Sequence, residues 1–333
     1  MGHLFIDAEI VTDMTWNYLQ ERPALTKLYE KGKVSQWNAT TDIDWTPTVE
    51  FGSPIEHDQF QAIGVAMPGG PLEGRSDEDV DLFRWEFQSW FVSQFMHGEQ
   101  GALVATARLV ETAPDIDSKF YAANQVADEA RHVEAYSKYL IEKLQHSYPI
   151  SKPLESLLVD IMGEKRWDIT YLGMQIMVEG LALAAFGWGN LLFHDPVIKQ
   201  ITDYVMRDEA RHVAFGVLSL DGLYPQMTAA ELAEREEFVM EAATLMRDRF
   251  LLDQVWDRVG VDAAVGKEYA ENHPTMGAFR QTLFSKIVPN LNKLGLLTPR
   301  VSEHFDKLGI LALKDNPDST ADLGDDVLAT TPA

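Results

Sequence analysis

The pentapeptide Asp-Glu-Ala-Arg-His, followed by valine, occurs twice in the chain, at Asp128 to His132 and at Asp208 to His212, 80 residues apart. The same offset carries Glu99 onto Glu179 and Ala102-Leu103 onto Ala182-Leu183. Each half therefore reads as one glutamate, a long interval, then Glu-x-x-His: Glu99 with Glu129 and His132, Glu179 with Glu209 and His212. Residues three apart share a helix face, so each Glu-x-x-His presents a carboxylate and an imidazole together. Glu179 is the only charge in the run from Leu172 to Phe193, where a solvated face cannot exist. A lone acid there needs a buried partner.

The elements that must carry these residues follow from the interval. If a first helix turns near Pro114 and the next runs back to Glu129, each leg is roughly 20 Å at ~1.5 Å per residue, and Glu99 and Glu129 meet at one height. The break at Asp195-Pro196 does the same for Glu179 and Glu209. Two such hairpins docked together place four carboxylates and two imidazoles at one level of a four-helix bundle. Four buried carboxylates repel prohibitively without cations, two divalent metals cancel their formal charge, and imidazole with carboxylate suits iron or manganese. The six expected ligands are Glu99, Glu129, His132, Glu179, Glu209 and His212. Asp128 and Asp208 are expected to orient the histidine of the opposite hairpin, with Arg131 and Arg211 pairing these acids.

Around this core the sequence predicts an all-α protein with additional helices at both ends. Residues 1–76 read as an arm and loop, with a short helical pattern near Trp16 to Lys31. Residues 77–225 form the bundle, and 226–313 carry further helices packed on it, with patterns at Thr228 to Val259 and Thr275 to Leu296. Residues 314–333, rich in Asp, Thr, Pro and Ala, read as a flexible acidic tail, disordered or loosely laid on the surface. The 28 basic and 52 acidic side chains leave a net charge of −24, which argues against nucleic acid and anionic membrane as partners. The chain has no cysteine, so thiolate metal sites, iron–sulfur clusters and disulfides are excluded. The apolar run around Glu179 is expected inside the bundle rather than across a membrane. The first residues lack a basic region followed by an apolar core, so the expected location is the cytoplasm.

Over about Asp77 to Leu223 these residues resemble the ferritin-like di-iron carboxylate oxidases and oxygenases. Asp-Glu-x-Arg-His in both halves is similar to the multicomponent monooxygenase hydroxylases. Asp-Glu-Ala-Arg-His-Val-Glu-Ala-Tyr is also similar to acyl-carrier-protein desaturases. Tyr136, four residues after His132, matches the spacing of the radical tyrosine in ribonucleotide reductase small subunits. Two departures separate the chain from particular reactions: Leu183 stands where the monooxygenases carry Thr, and Val205 where the p-aminobenzoate N-oxygenases carry a further His ligand.

The resemblance implies two iron ions, with Mn/Fe as the alternative, and O2 as co-substrate. It also implies oxidation of a small, largely apolar organic substrate, electrons from a separate reductase or ferredoxin, and a homodimer as the assembly to test. Expected pocket walls, from helical spacing to the ligands, are Phe95, Leu103, Ile176, Leu183, Phe186 and Phe215. Gly216 stands at the 80-residue offset from Tyr136 and is placed in the substrate pocket as space on one side of the site, with close helix–helix packing as the alternative. The alternatives are a ferroxidase that handles iron and a radical-generating small subunit.

Overall fold

The computed structural model describes residues 3–52 and 63–323. Among them no strand occurs, and the architecture is an all-α, ferritin-like four-helix bundle with helices added at both ends. Helix α1 spans Pro23–Val34, α2 Asp77–Thr112, α3 Ile116–Tyr139 and α4 Lys152–Gly163. Helix α5 runs Trp167–Leu192 and contains a π-helical segment, Leu172–Val178; α6 is Pro196–Leu220. The C-terminal part adds α7 (Ala229–Asp248), α8 (Asp253–Arg258), α9 (Ala263–Asn272), α10 (Pro274–Leu283), α11 (Ile287–Lys293) and α12 (Pro299–Lys307).

Local chemistry sets the bundle boundaries. Helix α2 opens on a reciprocal cap, Ser76 Oγ accepting from the Asp79 amide while the Asp79 carboxylate accepts from the Ser76 amide. The two turns expected at Pro114 and Pro196 are both capped by aspartate: Asp115 accepts from the Ser118 amide, and Asp195 from the amides of Val197 and Ile198. Helix α2 packs along α3 and α5 along α6, α3 and α6 meet across the bundle, and α1 lies over both. Helix α5 is long and apolar enough to cross a membrane, yet 89% of its most apolar window is buried inside the protein. It is the central helix that the sequence around Glu179 predicts.

Two expectations shift. The first helix covers Pro23–Val34 rather than Trp16 to Lys31, because proline disfavours helical geometry in the residue before it and is itself suited to the first turn. The tail from 314 to 323 is ordered rather than loose. Asn290 exchanges hydrogen bonds with Ser319 at 2.8 and 3.0 Å, and Leu323 is buried in the common core. Residues 324–333 of the expected tail lie outside the described residues.

Candidate metal centre

Register brings the six expected ligands together. Glu99 stands thirteen residues before the end of α2 at Thr112, and Glu129 thirteen after the start of α3 at Ile116. Glu179 and Glu209 stand thirteen from Leu192 and Pro196 in the second hairpin. Equal legs place the four carboxylates at one level. The π segment ends at Val178, immediately before Glu179, so the helix is rewound where it delivers this ligand.

All six side chains are buried. Their atoms form two overlapping donor groups: Glu99, Glu129, His132 and Glu209 in one, Glu129, Glu179 and His212 in the other. Glu129 is common to both. His132 Nδ1 lies 3.1 Å from Glu99, 3.4 Å from Glu129 and 3.4 Å from Glu209. His212 Nδ1 lies 3.0 Å from Glu129 and 3.1 Å from Glu209.

The other ring nitrogens face the opposite hairpin, as expected: His132 Nε2 meets Asp208 at 3.1 Å and His212 Nε2 meets Asp128 at 3.2 Å. A proton on each Nε2, donated to its aspartate, leaves the Nδ1 lone pairs aimed at carboxylate oxygens. Facing carboxylates, each Nδ1 needs positive charge between: a second ring proton supplies it in the metal-free protein, and a metal ion would supply it when bound. Among the described residues, no hydrogen-bond donor reaches buried Glu179 Oε2 or Gln125 Oε1 either. This donor set fits two divalent ions, which these six residues would hold.

An outer ring fixes these orientations. Arg131 pairs with Asp128 and Arg211 with Asp208, and each reaches across to the other acid at 3.6 and 3.7 Å. Three further members were not singled out from the sequence. Trp37 Nε1 donates to Asp208 at 2.7 Å, and Gln36 Nε2 donates to Asp128 at 3.0 Å. Gln125 Nε2 donates to both Glu129 and Glu179 at 2.9 Å. Gln125 had a signal, standing one helical turn before Glu129 on the same face. Trp37 and Gln36 had none, because they arrive from the segment after α1, 171 and 92 residues from their partners along the chain.

The metal-free electrostatics show the same strain. Burial, then the charge of Glu209, holds the carboxyls of Glu99 and Glu179 well above their ordinary range. Glu129 goes the other way: burial pushes it up, but His212 and His132 outweigh burial and hold it low. Burial also opposes a charge on His132 and His212, yet the surrounding carboxylates, led by Glu99 and Glu129 respectively, raise both imidazoles well above normal.

A small cavity adjoins the ligands, lined by Glu99, Glu179, Glu209, Arg249 and the apolar side chains of Phe95, Ala102, Val178, Ala182 and Phe186. Of the expected walls, Phe95 and Phe186 face it, packed ring to ring at 4.4 Å and each near Tyr136. Leu103, Ile176, Leu183 and Phe215 do not line it; Phe215 packs instead between Tyr121 and Tyr171. Gly216 is a correction. A Cβ there would lie 2.5 Å from Gln175 Cβ and 3.2 Å from Ile176 Cδ1, so its lack of a side chain lets the π segment of α5 approach α6 and leaves no room for substrate. Tyr136 is fully buried.

No family model and no curated protein matches the chain. Among solved structures it is similar to a variant of an R2-like ligand-binding oxidase with anaerobically reconstituted Mn/Fe cofactor, at 16% identity and a TM-score of 0.46, covering 81% of this chain and 92% of that one. A second variant of that oxidase gives 17% identity, coverages of 83% and 92%, and a TM-score of 0.44. The oxidase with aerobically reconstituted Mn/Fe cofactor gives 16%, 89%, 93% and 0.43. At these values the reading of the centre rests on this chain's own residues.

Proposed function

We propose that this chain is a cytoplasmic, non-haem di-metal oxidase or oxygenase that oxidises a small, largely apolar organic substrate. The observation that supports it is the pair of overlapping donor groups sharing buried Glu129, set beside an apolar cavity. Glu99, Glu129, His132, Glu179, Glu209 and His212 hold two iron ions, or one manganese and one iron. Bound there, such ions supply the coupling of O2 reduction to oxidation of an organic C–H or N–H bond. Asp128 and Asp208 keep the Nε2 proton on each histidine, so that Nδ1 stays the ligand atom. Gln125 holds Glu129 and Glu179 in place, and Phe95, Ala102, Val178, Ala182 and Phe186 keep bulk water from the reacting face. Insertion of one oxygen atom from O2 needs two further electrons, for which a reductase or ferredoxin is the expected partner.

The test is metal analysis of protein grown with ample iron, followed by mass spectrometry of organic compounds consumed when the reduced, loaded protein meets O2. Two metal ions per chain and loss of a specific compound are expected. Zinc alone, or at most one ion, would overturn the reading. Iron oxidation with no organic compound consumed, in a particle of cage size by light scattering, would replace it with iron handling.

A further inference from the structure

The arm of residues 3–22 runs against the hydrophobic effect. It forms no helix or strand, yet eight of the sixteen large apolar side chains exposed among the described residues lie in it, including Phe5, Val11, Met14, Trp16, Tyr18 and Leu19. Polar contacts place the arm: the Asp13 amide donates to the Glu111 carbonyl at 3.0 Å, the Thr12 hydroxyl to the Glu111 carboxylate, and the amides of Glu21 and Arg22 to Asp117 at 3.0 and 3.1 Å. The arm thus follows the outer face of α2 as far as the start of α3. Its eight apolar side chains are 41% to 87% exposed. At roughly 150–200 Å2 for each large side chain, they present about 800–1,000 Å2 of surface. Single exposed leucines are ordinary, but a strip of this size marks an interaction site.

Beside the arm lies a groove of about 700 Å3, bounded by Leu4 and Ile6 of the arm, Val104 and Arg108 of α2, and Leu158 and Met162 of α4. It is on the far side of α2 from the metal centre: His97, Gly101, Val104 and Arg108 recur at helical spacing on the groove face, whereas Glu99 and Ala102 line the inner cavity. Within one molecule the apolar row and the hollow do not meet, because Leu4 and Ile6 border the groove while Phe5 between them is turned out to solvent. The charges along this strip are mixed in sign. Glu9 meets Lys165 at 3.6 Å, Arg22 meets Asp115 at 3.2 Å, and Lys119 lies near Asp13 and Glu111. On a chain of net charge −24, two copies approach at least cost where acids are offset locally in this way.

We propose that a second copy of this chain covers the arm and the groove, making the protein a homodimer whose interface is this strip along the outer face of α2. A two-fold interface uses the same patch on both partners, so a chain that carries an apolar row and a hollow side by side is self-complementary. The exposed apolar area of the arm matches the ~800 Å2 that each partner contributes to a stable interface. Its Phe, Trp, Tyr and Met side chains, flanked by Glu9, Asp13 and Lys165, have the composition of an interface centre with a polar rim. The partner lies behind α2, the helix that delivers Glu99 from its other face.

Sedimentation equilibrium of the full chain at micromolar concentration should give twice the 37.5 kDa of one copy. Trp16→Asp in the arm and Val104→Asp in the groove replace side chains that a single copy leaves exposed. Each should weaken self-association by about 30-fold or more, the loss expected at a central interface residue, with helix content by circular dichroism unchanged. Val265→Asp, at a comparably exposed position on α9, should leave the dimer intact. Hydrogen exchange of the wild type reads the same surface without a substitution: amides of residues 3–22 should be better protected in the dimer than after dilution to monomer. A monomeric wild type overturns the proposal, and one that co-floats with uncharged phosphatidylcholine vesicles assigns the arm to a bilayer instead. A dimer that survives both substitutions, that Val265→Asp disrupts as readily, or that leaves the arm's exchange unchanged puts the interface elsewhere and overturns the proposal as well. None of these readings depends on bound metal, so their failure leaves the oxidase reading standing.

Discussion

Glu129 belongs to both donor groups, whereas Glu99 and Glu179 each belong to one, so the three glutamates should differ in how many ions they control. Replacing each by Gln keeps the volume and removes the charge. Glu99→Gln and Glu179→Gln should each leave about one ion per chain, and Glu129→Gln close to none. The thermal consequence follows from mass action. With free metal at ~1,000 times the dissociation constant, one occupied site adds about 4 kcal/mol to folding. Unfolding entropy of ~2.1 cal/mol/K per residue over 333 residues is about 0.7 kcal/mol/K, so one site is worth about 6 °C in Tm. The loaded Glu179→Gln protein should therefore melt about 6 °C below loaded wild type, and Glu129→Gln about 12 °C below it. Without metal the sign reverses for Glu179, because burial and Glu209 already hold its carboxyl far above its ordinary range; neutralising it relieves that strain. Metal-free Glu179→Gln should then melt no lower than metal-free wild type. Elemental analysis with scanning calorimetry, with and without metal, checks all of these. Two ions retained in Glu179→Gln with an unchanged Tm, or Glu129→Gln losing no more metal than the other two variants, would refute the shared-ligand geometry.

Asp128→Asn and Asp208→Asn should keep the fold and weaken metal affinity by about 10- to 100-fold, read by competition with a chelator, because each replaces the charged acceptor of a histidine Nε2 proton with a neutral amide. Gly216→Leu should lower stability by about 1–3 kcal/mol through overpacking against Gln175, measured by denaturant unfolding; an unchanged midpoint would mean that α5 does not press on α6 there. In metal-free protein Glu99, Glu179, His132 and His212 all have raised folded-state pKa values, so the folded state holds more protons than the unfolded one between about pH 5 and 8. Stability then falls as pH rises through that window, by up to about 1.4 kcal/mol per pH unit for each such proton. Glu129 and Asp208 are lowered, and their contribution is lost only below about pH 4, so they do not change the sign. The Tm gained on adding metal should grow over the same window, and a metal-free Tm that climbs from pH 5 to 8 is the contrary result.

The buried Glu/His cluster was legible because helix geometry is periodic. A repeat offset, a proline break and the three-residue spacing of Glu-x-x-His fix which side chains share a level, and the cross-hairpin pairing of Asp128 with His212 and Asp208 with His132 follows once the hairpins are antiparallel. What surrounds the ligands depends on contacts between segments far apart in sequence, where periodicity is silent. Trp37 reaches Asp208 from the region after α1, and Arg249 reaches the cavity from the end of α7. Gly216 misled for a related reason. A missing side chain is either empty space or close packing, and only the position of Gln175 on the neighbouring helix decides between them.

The repeat also shows where the two halves part company. The cluster residues and the Asp–Arg pairs behind them obey the 80-residue offset, but two neighbours do not: Gln125, which bonds Glu129 and Glu179, falls on Val205, and Tyr136 falls on Gly216. One donor group draws on Glu99, Glu129, His132 and Glu209, the other on Glu129, Glu179 and His212. Arg249, lining the cavity, is close enough for its charge to be felt at Glu99. Two ions bound here would therefore differ in the hydrogen bonding and field around them. Equivalent sites would bind two identical ions with equal affinity, whereas sites that differ this way fill in sequence, each with its own preference for a metal. A stepwise titration, in which the first ion leaves Glu179→Gln protein unaffected and the second is lost from it, is the behaviour this asymmetry requires.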